Sequence, residues 1–145
     1  MADLNVYGFG YSGRELEDLK KECVRLNAIA VDTRLKPFSK AHGWNRFQLE
    51  GYFSKQYYEW VPAFGNLNYK GEFGPRGQIM LQNPDRGLAR MGQIYAEGRP
   101  VILLCTCKDA GKCHRRVAAQ LISEMTGGQY IELKPTRRQI DMFSL

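Results

Sequence analysis

Apolar positions along the chain alternate between short unbroken runs and runs with helical spacing. "LNVYGFG" (residues 4–10) is apolar, β-prone and closed by glycines, the pattern of a buried strand entering a tight loop. Ser12 offers an N-cap, and Leu16, Leu19, Cys23, Val24 and Leu26 follow at helical spacing, which predicts a first helix with those side chains inward. "AIAVDTR" (residues 28–34) is a second buried run. Strand, helix, strand in that order implies a parallel pair joined by a right-handed crossover.

The middle of the chain is less regular. "NRFQLEGYFSKQ" predicts a short amphipathic helix with Phe47, Leu49, Tyr52 and Phe53 inward, and "YYEWVPAFGN" (residues 57–66) predicts a third strand stopped by Pro62 and Gly65. Residues 67–78 are glycine-rich and without period, an irregular surface loop of a length that is often functional. Leu88, Met91, Ile94 and Tyr95 then predict a helix over residues 85–97, shortened at its start by Pro84 and Gly87. "RPVILLCTC" reads as a central strand buried on both faces. "CHRRVAAQLISEMTGG" predicts a helix with Val117, Leu121, Ile122 and Met125 inward and a Gly-Gly stop, and "QYIEL" a last short strand before a basic tail.

The expected architecture is therefore one α/β domain over residues 1–145, a mostly parallel, Rossmann-like sheet of about four to five strands flanked by helices. Its post-strand loops carry "GYSGR", "DTRLKPFSK", "FGN" and "CTCKDAGKCHRR". All four gather on the C-terminal edge of the sheet, where open α/β sheets bind ligands.

Charge sharpens this picture. Of the net +6, none comes from residues 1–32, which hold four Lys/Arg against six Asp/Glu; residues 33–90 hold nine against four, and residues 99–145 eight against four. The surplus points to an anionic partner such as phosphate, a nucleotide or nucleic acid, and on charge alone fits a solvated basic face equally well. No run approaches the ~18 apolar residues of a membrane span, and the N-terminus lacks a secretion-signal pattern. The expectation is a cytoplasmic protein without membrane contact, whose thiols stay reduced. Nothing in the pattern speaks to oligomeric state.

Candidate chemistry concentrates in "LLCTCKDAGKCHRR" (residues 103–116), which holds three of the four cysteines and one of the two histidines. Cys105, Cys107, Cys113 and His114 have the donor types of a tetrahedral zinc site. Against zinc, adjacent residues in a helix point about 100° apart, and no second ligand knuckle is present; no cofactor is the main expectation. As an alternative, a cysteine between a central strand and a helix N-terminus meets unpaired N–H groups, and Arg115, Arg116 and Lys112 lie near it. Such settings favour thiolate, with His114 as proton carrier, and also bind phosphate. The cysteine-phosphatase and rhodanese signature fails, because the sixth residue after Cys105 is Gly111 and after Cys107 is Cys113. The elements of a zinc deaminase are missing as well. Cys23, on an apolar helix face, reads as core.

In order and spacing, "GYSGRELEDL", "VDTRLKPFSK", "YYEWVPAFGN" and "ILLCTCKDAGKCHRRVAAQLI" resemble the family called domain of unknown function 488 over nearly the whole chain. The resemblance matches Gly10, Ser12 and Arg14 to a first loop, and Asp32, Arg34, Pro37 and Ser39 to an Asp-x-Arg-x-x-Pro-x-Ser segment. It matches Gly65 to a turn, Cys105 to a strand-end cysteine, and Cys113, His114 and Arg115 to a Cys-His-Arg triplet, with Cys107 a departure. It implies an α/β domain with an anion-friendly cleft and a loose association with nucleic-acid metabolism, and supplies no reaction.

Two functions compete. One is an enzyme acting on a nucleotide, a nucleobase or a modified base in nucleic acid, a cysteine-dependent hydrolase or transferase. In it Cys113 or Cys105 is nucleophile, His114 carries the proton, and Asp32 is a general base or orients Arg34. Arg34, Arg115, Arg14, Ser12, Ser39 and Arg116 hold phosphate or substrate, and Tyr11, Tyr58, Trp60 and Phe64 stack a base or pack in the core. The other is a binding module without chemistry, in which "RLKPFSKAHGWNR" and "KPTRR" contact phosphates. A zinc-binding protein is the third possibility.

Overall fold

A computed structural model describes residues 2–38, 43–106 and 113–135. Five strands form one sheet: β1 (Val6–Gly10), β2 (Ile29–Asp32), β3 (Tyr58–Trp60), β4 (Val101–Cys105) and β5 (Tyr130–Glu132). Their order is β3-β2-β4-β1-β5 and every pairing is parallel, with β4 central as its unbroken apolar run predicts.

Alternation along the strands sorts the core into two layers. Tyr7, Phe9, Ala30, Ile102 and Leu104 face one side, where α1 (Leu16–Leu26) and α2 (Arg46–Tyr57) supply Leu19, Cys23, Leu49 and Phe53. Val6, Ile29, Val31, Val101 and Leu103 face the other, where α3 (Pro84–Ala96) and α4 (His114–Thr126) supply Met91, Ile94, Ala118, Ala119 and Ile122. No helix among the described residues is long and apolar enough to cross a membrane.

The helix faces correct several expectations. Val24, Phe47 and Tyr52 were expected inward and are exposed, as is Met125. The reason is angular. At about 100° per residue, Phe47 lies opposite Leu49 and Val24 lies well off the line joining Leu19 to Cys23. On α4 the inward residues are Arg115, Ala118, Ala119 and Ile122, with Val117 and Leu121 only half-buried. The third strand is shorter than expected, ending at Trp60 before a 3-10 turn at Pro62–Phe64. Ser12 does not cap α1. Glu15 is the N-cap and forms a capping box with Asp18, whereas the Gly-Gly stop of α4 is realised by Gly127 at φ 80°.

Candidate active site at the sheet edge

The chain leaves β2 towards β3 at one edge of the sheet and leaves β4 towards β5 at the other. The connections diverge onto opposite faces, and the crevice between them at the C-terminal strand ends is where α/β sheets hold ligands. Here it opens into a cavity of about 610 Å³, a size suited to a nucleotide-sized molecule. Tyr11 follows β1, Arg34, Leu35, Lys36 and Phe38 follow β2, Thr106 follows β4, and Cys113 and His114 open α4; the opposing wall comes from the loop carrying Asn66, Asn68 and Tyr69. Among the described lining residues there is no carboxylate, whereas Arg34 and Lys36 bring positive charge.

One wall is a hydrogen-bonded relay. The Thr33 hydroxyl donates to the Leu104 carbonyl at 2.9 Å, so its oxygen is left to accept at His114 Nε2, also 2.9 Å away. This partner assigns the ring proton to Nε2. His114 Nδ1 then carries the lone pair, and it faces Cys113 Sγ at 3.8 Å. Burial, reinforced by the nearby Arg115 charge, lowers the His114 pKa to about 4, so near pH 7 the ring is neutral and its Nδ1 lone pair is unprotonated. Cys113 is itself the N-cap of α4, with its side chain at the positive end of a thirteen-residue helix.

Beneath the relay lies Cys105, fully buried at the end of β4. Its Sγ is in contact with that of Cys113, but the Cα atoms stand 7.8 Å apart. Disulfides ordinarily bridge about 4.4–6.8 Å, so we read the pair as two facing thiols. Cys105, Cys113 and His114 bring three donor atoms within 4.8 Å of one another, the set that would hold a soft or borderline cation. Arg115 Nη1 donates to Cys105 Sγ at 3.0 Å. A fixed positive charge on that sulfur weighs against a metal ion there. Cys107, the fourth member of the expected zinc set, and Ser39 both lie outside the described residues.

The remaining predicted residues separate into those at the cavity and those behind it. Asp32 is fully buried and does not line the cavity. Its Oδ1 accepts from Arg34 Nε at 2.8 Å, and its Oδ2 accepts from Arg34 Nη2 and the Tyr58 hydroxyl, both at 2.6 Å. Of the two roles open to Asp32, this geometry supports orienting Arg34. Burial alone would lower the Arg34 pKa, but its bonds to and attraction for Asp32 reverse that and raise it. Arg34 Nη1 donates to the Trp44 carbonyl at 2.6 Å and to the Tyr11 hydroxyl at 3.4 Å. With four of its five N–H groups engaged, Arg34 offers a ligand its charge and one remaining donor.

Arg115 and Arg14 are placed away from the cavity. Arg115 is fully buried, its Nε and Nη2 directed to the Glu132 carboxylate, which also accepts from the Tyr130 hydroxyl. Gly8 makes room for that carboxylate, since a Cβ there would collide with Glu132. Arg14 donates to the Leu133 carbonyl at 2.7 Å and lies 3.6 Å over the Phe9 ring. Ser12 and Arg116 are half-exposed and outside the cavity lining.

Of the four aromatics expected at a base, Tyr11 alone lines the cavity, stacked on Trp44 at 4.7 Å. Phe64 is core, packed where Gly87 leaves it space, and Tyr58 is buried on Asp32. Trp60 donates from Nε1 to the Arg34 carbonyl at 2.7 Å. Thr33, Glu132, Asn66 and Asn68 were not anticipated. Thr33 and Glu132 carried a weak signal, being polar residues inside or directly after apolar strand runs.

Comparison with known proteins agrees with the family resemblance over most of the chain. A family model described as "Domain of unknown function DUF488" matches residues 14–122. No curated protein and no solved structure matches the chain.

Proposed function

We propose, for a chain that belongs to the domain of unknown function DUF488 family, that the sheet-edge cavity is the active site of a cysteine-dependent enzyme acting on a nucleotide or nucleobase. The observation that carries this reading is the Thr33, His114, Cys113 relay on the wall of a cavity whose described lining holds no carboxylate. With Nε2 committed to Thr33, Nδ1 takes the proton of Cys113 as its sulfur adds to an electron-poor carbon of the base, whose C=N or C=O π pair moves onto the heteroatom. The helix N-terminus stabilises the thiolate that forms. Arg34, held by Asp32 and Tyr58, together with Lys36 answers an anionic group, and Tyr11, backed by Trp44, offers a flat face for a base.

The test is alkylation of reduced protein by iodoacetamide, followed by peptide mass spectrometry. Cys113 is expected to react faster than Cys23, whose thiol is buried and pushed up to about 12. Nucleoside monophosphates are expected to slow the labelling of Cys113, and His114→Ala to slow it without ligand. Equal rates at Cys113 and Cys23, or labelling indifferent to every nucleotide, would remove the reading.

A further inference from the structure

Among the described residues, four of the eight exposed large hydrophobics lie on two segments beside this cavity. They are Phe38 at 57 %, Phe47 at 65 %, Tyr69 at 56 % and Phe73 at 63 % exposure. Phe38 and Tyr69 are also cavity-lining residues, and the Phe38 and Phe47 rings stand 6.0 Å apart. Large aromatics left open to water are unusual on a surface unless something covers them.

The loop that carries Tyr69 and Phe73 holds them out by construction. Asn66 Oδ1 accepts from the Asn68 and Met80 backbone N–H groups, at 2.9 and 3.0 Å. Asn68, itself buried, donates through Nδ2 to the Pro75 and Gln78 carbonyls and accepts at Oδ1 from the Phe73 N–H. Two asparagines thus satisfy the inward polar groups of the loop, and an Asn66 to Leu81 bridge closes its base. The aromatics face outward from an ordered frame, so little ordering entropy remains to be lost when a ligand stacks on them.

The charges interleaved with these rings are mostly of one sign. Lys36, Lys70 and Arg76 are exposed on the same two segments, with Lys70 Nζ 5.5 Å from the Tyr69 ring, and Glu72 is the acid among them. Arg46 is half-buried over Trp60 and paired with Glu50. Flat aromatic faces alternating with cations are the means by which proteins hold unpaired bases and the phosphates between them. A free mononucleotide fills the cavity without needing Phe47 or Phe73, and a duplex keeps its base faces stacked away from such rings.

We infer that the substrate is presented in a single-stranded polynucleotide, whose flanking bases stack on Phe38, Tyr69 and Phe73 while Lys36, Lys70 and Arg76 meet its phosphates. This rests on the proposed reading of the cavity and names the form in which its substrate arrives.

The test is fluorescence anisotropy of the full chain with a labelled single-stranded DNA or RNA decamer. A hairpin duplex of equal length, a nucleoside monophosphate and anionic phospholipid vesicles serve as competitors. The single strand is expected to bind more tightly than duplex or mononucleotide. Tyr69→Ala and Phe73→Ala, both surface changes checked for folding by circular dichroism, are each expected to weaken strand binding by about tenfold. Lys70→Ala is expected to lower the salt slope by about 0.7, one phosphate contact. A strand that binds no better than the mononucleotide, aromatic variants without effect, or a preference for duplex or vesicles would each overturn the inference. Cys113→Ser separates the two proposals. Strand binding that survives in it, together with a Cys113 thiol in the unsubstituted protein that shows no ligand-sensitive reactivity, condemns the catalytic reading alone. Mononucleotide protection of Cys113 without strand preference condemns the rim alone.

Discussion

Acid separates a buried, neutral His114 from a solvated one. In the unfolded chain an imidazole titrates near pH 6.5, whereas in the folded protein burial holds His114 down to about 4. As pH falls below about 6.5 the unfolded state takes up a proton that the folded state refuses. The unfolded state then binds more protons, so stability falls with pH, and the loss is complete once pH has passed below the folded value. At about 1.4 kcal/mol per pKa unit, the loss is about 2 kcal/mol between pH 7 and pH 5 and about 3 kcal/mol by pH 4.

Carboxylates also titrate in that window, so the measurement is a difference between two proteins. His114→Gln keeps an amide able to donate to Thr33 and has no charge to gain. Urea unfolding followed by circular dichroism at pH 7, 6 and 5 yields the stability of each. Whatever deficit the variant shows at pH 7 is expected to shrink by about 2 kcal/mol at pH 5. A difference that stays constant with pH would refute the reasoning. It would mean that His114 is solvated or keeps a partner for its charged form, and the free Nδ1 on which the relay depends would go with it.

Two further outcomes test the groups behind the cavity. Asp32→Asn leaves Arg34 charged and buried without its carboxylate, and is expected to cost about 3–5 kcal/mol of unfolding free energy. Adding Arg34→Met should recover much of that loss, while two losses that simply add would show that the pair is not coupled. Gly8→Ala places a methyl group where the Glu132 carboxylate sits, and is expected to cost about 1–3 kcal/mol in the same urea assay. An unchanged midpoint would mean that Glu132 does not hold Arg115 as described.

Much of the frame was legible because it depends on neighbours in sequence. An unbroken apolar run such as Val101–Cys105 has one comfortable place, the middle of a parallel sheet covered on both faces. The spacing of Leu19 and Cys23 sets a helix face wherever that helix later packs. Phe47 emerges on the solvent side because it lies opposite Leu49 on α2, where the apolar positions within the first turns span more than one face. A hydrophobic side chain there is not compelled inward by periodicity.

The site was legible as a neighbourhood and not as a set of contacts. Cys113, His114 and Arg115 are consecutive, yet the helical turn sends them to different places: the first two to the cavity, the third into the core against Glu132. An arginine in the first turn of a helix looks the same in sequence whether it awaits a phosphate or a carboxylate seventeen positions on. The phosphate-binding role expected of Arg115 turned on that ambiguity. For Asp32, the last residue of β2, and Arg34, two positions beyond it, mutual pairing was foreseeable from alternation, but Tyr58 as their third partner required β3 to lie beside β2.

By itself, then, the sequence determined the order of strands and helices, the gathering of the loops at one sheet edge, and the crowding of thiols beside a helix start. These follow from hydrogen bonding and burial within a few residues of chain. The tertiary structure decided which charges neutralise one another, which nitrogen of His114 is free, and which aromatics of residues 66–79 face the cavity mouth. Those depend on strand order and register, which bring together residues such as Thr33 and His114 that lie 81 positions apart.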